Sequence, residues 1–127
     1  MKYTRKIFGY ECDIYGHLNN ANYLHLFEEA RSEILENSSL PIKELMEKGY
    51  HIYITRIELD FVKAVNLGET VTITSIVDSM NRLKGVWKQE ILNDNDEVCS
   101  RAHVTGVFIK NGKPARLSKE LFDQLTR

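Results

Sequence analysis

An excess of charge of one sign is what this sequence most plainly lacks. Its 17 lysines and arginines stand against 18 aspartates and glutamates, a net charge of -1. That balance removes the electrostatic footprint of a nucleic-acid-binding surface. No apolar run is long enough to cross a bilayer. The segment Met1 to Lys6 has no apolar stretch behind it, so no signal peptide is expected and the expected location is the cytosol. Cysteine is scarce: Cys12 and Cys99 are the only two, outside any Cys-x-x-Cys motif, and are expected to be free thiols. His17, His25, His51 and His103 show no ligand spacing and join no cysteine cluster, so no metal site and no cofactor is expected. Ser75, Ser79 and Ser100 lack the setting of a nucleophile elbow, which leaves a serine triad unsupported. Internal repeats and low-complexity segments are missing too.

What is present suits one folded domain over residues 1–127, with 43% hydrophobic and 28% charged residues. The stretch Asp13 to Glu36 organises the chain. Its first half, Asp13-Ile14-Tyr15-Gly16-His17-Leu18-Asn19-Asn20-Ala21-Asn22-Tyr23, is polar and asparagine-rich. Its second half has helical periodicity, with Tyr23, Phe27, Ala30 and Ile34 on one face and His25, Glu29, Ser32 and Glu36 opposite. The asparagines supply caps for a helix starting near Asn20. A first helical turn offers unpaired N–H groups and a positive dipole end, which can hold a developing oxyanion. Asp13 lies just upstream as a candidate base or nucleophile, and Gly16 allows a tight turn between the two. On residue types alone, Asp13 as an ordinary loop carboxylate remains the alternative. Glu28 and Glu29 are read as surface residues of the polar face.

The remaining chain reads as a first strand over residues 3 to 12, a short helix from Pro41 to Lys48 stopped by Gly49, and four consecutive strands. Ile57, Leu59 and Phe61 alternate with Arg56, Glu58 and Asp60, giving one buried and one wet face. Strands around Val71 to Val77, Gly85 to Leu92 and Val98 to Phe108 follow, separated by Asn- and Asp-rich turns. Ser100, Ala102 and Gly106 share a face, and their small size points to close approach by another element, most simply the long helix. Ser118 is the expected cap of a helix from Lys119 to Leu125. Helices first and consecutive strands after predict an α+β fold with an antiparallel sheet.

The run Cys12 to Tyr23, with Phe27-Glu28-Glu29-Ala30-Arg31 behind it, resembles the opening of hotdog-fold acyl-CoA thioesterases of the 4-hydroxybenzoyl-CoA thioesterase-like group. Leu59-Asp60-Phe61, Leu67-Gly68-Glu69-Thr70-Val71 and Asn111-Gly112-Lys113-Pro114 extend the likeness over nearly the whole chain. The resemblance implies a five-stranded antiparallel sheet in the order 1-3-4-5-2, wrapped around one long helix. Carried over by residue, it makes Asp13 the catalytic carboxylate and the backbone N–H of Asn20 the group that polarises the thioester carbonyl. Gly16 and His17 belong to the same motif. Asn19, Tyr23 and Lys63 are the expected substrate contacts. The chain has Ala64 where the family often has proline, and Asn20 where some subgroups carry histidine.

The leading expectation is hydrolysis of an acyl-CoA thioester, with a carrier-protein thioesterase and a non-catalytic acyl-CoA-binding module as alternatives. The strand from Ile52 to Phe61 places Ile52 and Ile54 on the parity of Arg56 and Glu58, with Ile57, Leu59 and Phe61 on the other. Read by parity, it shows apolar groups to both sides. The resemblance makes it the subunit's edge, pairing across a two-fold axis into a ten-stranded sheet of a homodimer, with a tetramer as a further option. The cleft would then lie between subunits.

Overall fold

The computed structural model describes residues 1–127. Strand β1 (Lys2–Lys6) opens the chain, and helix α1 (Asn20–Glu36) and the short α2 (Ile42–Glu47) follow. Then come β2 (Tyr50–Phe61), β3 (Thr70–Met80), β4 (Lys84–Leu92) and β5 (Val98–Lys110). A two-residue β6 (Lys113–Pro114) and helix α3 (Lys119–Leu125) close it. The long strands pair antiparallel in the order β1-β3-β4-β5-β2, the order that the resemblance implies.

Helix α1 starts where the asparagines predict. Asn19 has extended backbone angles, φ -62° and ψ 140°, and its side chain accepts the Ala21 N–H at 3.0 Å. The helix buries Tyr23, Leu26, Phe27, Ala30 and Arg31. These meet Ile7, Val71, Ile73, Ile91, Ala102 and Val104 from the sheet, forming the main core. Full burial of a side chain such as Phe27 contributes about 1.5–3 kcal/mol. A second, smaller cluster of Leu40, Leu45, Tyr50, Phe108 and Leu117 lies towards α2. The turn residues act as read: Asn111 and Gly112 take positive φ values of 53° and 75° between β5 and β6, and the Ser118 side chain accepts the Leu121 N–H at the start of α3.

Three local expectations need correction. The first strand ends at Lys6, and Gly9–Glu11 form a 3-10 turn. Its cause is Glu11, whose carboxylate folds back to accept the Phe8 N–H at 3.0 Å and to pair with Arg5. Apolar groups do not alternate to both sides of β2. A β-bulge lies between Ile54, which pairs with Gly106, and Arg56, which pairs with Thr105. The extra residue, Thr55, resets the parity, so Ile52, Ile54, Ile57, Leu59 and Phe61 all lie opposite Phe108, Gly106, Val104, Ala102 and Ser100 on one face. That face is not fully buried within the chain, and Ile54 and Phe61 remain 43% and 54% exposed. Finally, Gly106 and Ser100 make room for β2, not for the helix. A Cβ on Gly106 would sit 3.0 Å from Ile52 Cγ2, and the Ser100 hydroxyl donates to the Asp60 carbonyl at 2.8 Å.

Candidate active site

The segment before α1 is a small hairpin with Asp13 beside its tip. The Asp13 N–H donates to the His17 carbonyl at 2.8 Å, and the Gly16 N–H returns to the Asp13 carbonyl at 3.1 Å. Gly16 closes this turn at φ 74°, a conformation that a side chain would strain although the space beside it is open. Cys12 pairs with Leu18 across the hairpin, and the Asn19 N–H donates to the Glu11 carbonyl at 2.9 Å. Residues 11–13 therefore run beside residues 17–19, with Asp13 level with His17 and Glu11 level with the helix cap Asn19.

The outer side of this hairpin is anchored to the turn after β2. Leu18 donates to the Val65 carbonyl and Leu67 to the Gly16 carbonyl, each at 2.8 Å, and His17 bridges Asn66. Two groups with no signature in the sequence complete the anchorage. The Asn22 side chain donates to the Glu11 carbonyl at 2.8 Å, so this asparagine ties the helix back to the loop instead of capping it. Arg5 pairs with the buried Glu11 and, at 3.1 Å, with Glu29, which also accepts from the Tyr3 hydroxyl at 3.2 Å. Glu29 is thus half-buried and engaged, unlike the exposed Glu28. The partners lie on β1, the turn and α1, far apart in sequence, and only the repeated charges hint at them.

Asp13 is exposed, and one of its oxygens is committed. Oδ1 accepts the Tyr15 N–H at 2.9 Å and the His17 N–H at 3.2 Å, while Oδ2 accepts from no group of the chain. At the helix start, Asn19 accepts from Ala21 and Asn22, but the Asn20 N–H has no acceptor in the chain. This donor sits at the positive end of a 17-residue helix. The neighbouring Cys12 thiol is pushed up in pKa by burial and then by the Asp13 and Glu11 carboxylates, which disfavours a thiolate.

The hairpin links Asp13 with Gly16 and His17 by hydrogen bonds and leads through Asn19 to Asn20 at the helix start. His17 is exposed. Tyr23 and Lys63 lie outside the hairpin. Tyr23 is 3% exposed, accepts the Val65 N–H on its hydroxyl at 3.3 Å, and meets the Phe61 ring edge-on at 5.0 Å between centroids. Lys63 is exposed just beyond β2 and paired with Glu97 at 2.6 Å, and this hydrogen bond is the main reason its pKa is raised. No three His, Cys, Asp or Glu side chains gather in a way that could hold a metal ion. No helix is long and apolar enough to cross a membrane.

The strand order and the single long helix under the sheet are the arrangement of the hotdog fold. The thioesterase-like superfamily model matches residues 9–125; the chain belongs to this family and is a thioester hydrolase. It is 33% identical over 123 residues to the long-chain acyl-CoA thioesterase FadM of Escherichia coli strain K12, covering 94% of this chain and 92% of that protein. The crystal structure of YbaW, a probable thioesterase from Escherichia coli, superposes with a TM-score of 0.87 at 30% identity, over 100% of this chain and 99% of that one. The DHNA-CoA thioesterase of Staphylococcus aureus shares the fold, with a TM-score of 0.90 at 22% identity over 98% of this chain and 87% of that one.

Proposed function

We propose that this protein hydrolyses acyl-CoA thioesters, with Asp13 as general base or nucleophile and the Asn20 N–H as the donor to the thioester oxygen. The observation that carries the reading is that, within one short segment, Asp13 Oδ2 accepts from no group of the chain and the helix-start N–H of Asn20 finds no acceptor. The similarity to FadM supports a CoA-linked substrate. As the carbonyl carbon is attacked, negative charge gathers on its oxygen, where a fixed donor lowers the barrier most. In one route Asp13 takes a proton from a water that attacks the carbon. In the other Asp13 attacks, forming a mixed anhydride that water then opens. Both expel the CoA thiolate, which takes up a proton. Gly16, His17 and Asn19 shape the hairpin, and Tyr23 and Lys63 serve as more distant substrate contacts.

Asp13→Asn is the decisive variant. Loss of a general base lowers the rate by about 10²–10⁴. Free-thiol release from acyl-CoA at the wild-type rate would remove Asp13 from the mechanism. A single turnover in ¹⁸O-water separates the routes, since water opening the anhydride at the Asp13 carbon leaves label in that side chain.

The working unit is a homodimer paired through the free edge of β2, with a cleft between subunits. The apolar face of β2 is left part-exposed by its own helix, and the hairpin presents Ile14, 93% exposed, and Tyr15 to solvent. These supply the apolar surface that a second copy would cover. Light scattering alongside turnover tests this, and a monomer retaining full activity at assay concentration would end it.

A further inference from the structure

Beneath the C-terminal half of α1 the sheet leaves a cavity of about 850 Å³, a size that holds ligands as large as drugs. Leu35, Ile54, Val86, Trp87 and Phe108 give it largely apolar walls. Arg31, only 8% exposed, is part of the lining. Its Nη1 donates to Gln89 Oε1 at 2.9 Å. The orientation of Gln89 is fixed from behind, since its Nε2 donates to the Phe27 carbonyl at 3.1 Å and the Ser75 hydroxyl at 2.9 Å. The other N–H groups of Arg31 find no acceptor in the chain, and no carboxylate lies within ion-pair distance. The remaining charged side chains of the lining are Lys2 and Arg127 against Glu28 and Glu33, so with Arg31 cations outnumber carboxylates.

A guanidinium largely withdrawn from water, hydrogen-bonded only to a neutral amide and with Glu28 beyond ion-pair distance, lacks the compensation that a buried charge requires. An apolar wall around it selects a ligand that supplies the anion on an apolar body. We infer that this cavity binds an aliphatic or aromatic body ending in a carboxylate, with Arg31 taking the carboxylate through its free N–H groups. A carboxylate matches the guanidinium fork, and a neutral hydroxyl would leave the charge uncompensated. Two sources share this chemistry: a free organic acid, and the far end of a carboxyl-bearing acyl group whose thioester is held at the Asp13 hairpin. The second rests on the hydrolysis reading. Arg31 lies eleven residues along α1 from Asn20, or roughly 16 Å, so only a long acyl group connects the two within one chain.

Trp87 is the only tryptophan and lines this cavity, so its fluorescence reports occupancy without turnover. The test titrates the intact protein with decanoate and with 1-decanol, in the wild type, in Arg31→Met and in Gln89→Glu. The last keeps Arg31 but gives it an internal carboxylate. The expected result is decanoate binding at least tenfold tighter than decanol in the wild type, with the advantage lost in both variants. Equal binding of the two probes, or decanoate binding unchanged in the variants, would overturn the site. Should Arg31→Met fail to fold, Gln89→Glu decides alone. Turnover then separates the sources, using carboxyl-tipped and plain acyl-CoA of equal length. A tenfold preference for the tipped substrate that disappears in Gln89→Glu assigns the acyl tail. Equal rates overturn that assignment and leave the free acid. A wild-type protein that releases no thiol from any acyl-CoA sinks the hydrolysis reading without touching the Trp87 titration.

Discussion

Two arginines leave water in this fold and meet opposite surroundings. Arg5, its side chain 13% exposed, lies on β1 between two carboxylates, Glu11 and Glu29. Arg31 lies on α1 against the uncharged Gln89. Burial alone would depress both pKa values. For Arg5 its hydrogen bond to Glu11 and the charges of Glu29 and Glu11 more than reverse that effect, and its pKa is raised. For Arg31 only the charge of Glu28 opposes burial, and its pKa stays lowered. The difference teaches what each cation is for. The charge of Arg5 is consumed inside the protein, holding the turn from which the Asp13 hairpin springs. The charge of Arg31 meets no carboxylate within ion-pair distance and lines a cavity.

Exchange of each arginine for methionine sharpens the contrast. Arg5→Met strands the buried Glu11 carboxylate, and breaking such a pair costs about 3–5 kcal/mol. Chemical denaturation should show that loss, with turnover falling in the molecules that remain folded. A Glu11→Gln change in the same background should recover part of it, because the stranded charge is then gone. Next in size is Gly16→Ala, which forces a side chain into positive φ beside Asp13, at a cost of about 1–2 kcal/mol. Its fall in turnover should exceed the fall expected from stability alone. Arg31→Met should cost less than Arg5→Met, since the hydrogen bond lost at the buried Gln89 Oε1 is offset by relief of the desolvated charge. A drop in denaturation midpoint as large as that of Arg5→Met would show that the two arginines serve the same structural end. The smallest effect concerns Cys12. With its pKa raised, iodoacetamide at neutral pH should modify it more slowly than a free peptide thiol, by mass-spectrometric rate.

Much of the fold was legible because its signals are local. Asn19 caps α1, Gly49 follows α2, and Asn111-Gly112 turns β5 into β6, each through chemistry within a few residues. The elements of the candidate site were legible for the same reason, since Asp13, Gly16 and the helix start occupy eight consecutive positions. The strand order came from family resemblance, because antiparallel strands of similar composition carry no address for their neighbours. Tyr23 illustrates the limit within the motif. Its place on the apolar face of α1 already implied burial, and the hydroxyl's partner, the Val65 N–H, lies 42 positions away.

By itself the sequence determined the helices, the four later strands, the turns and the loop that leads from Asp13 into the long helix. These depend on periodicity and on interactions that close within a few residues. Tertiary structure alone decided which side of β2 is apolar, because the bulge at Thr55 shifts register by one residue, and a parity count along the strand cannot see it. It also decided the fates of Arg5 and Arg31. An arginine has the same charge wherever it stands, and whether that charge is matched depends on which distant strand or helix is packed against it.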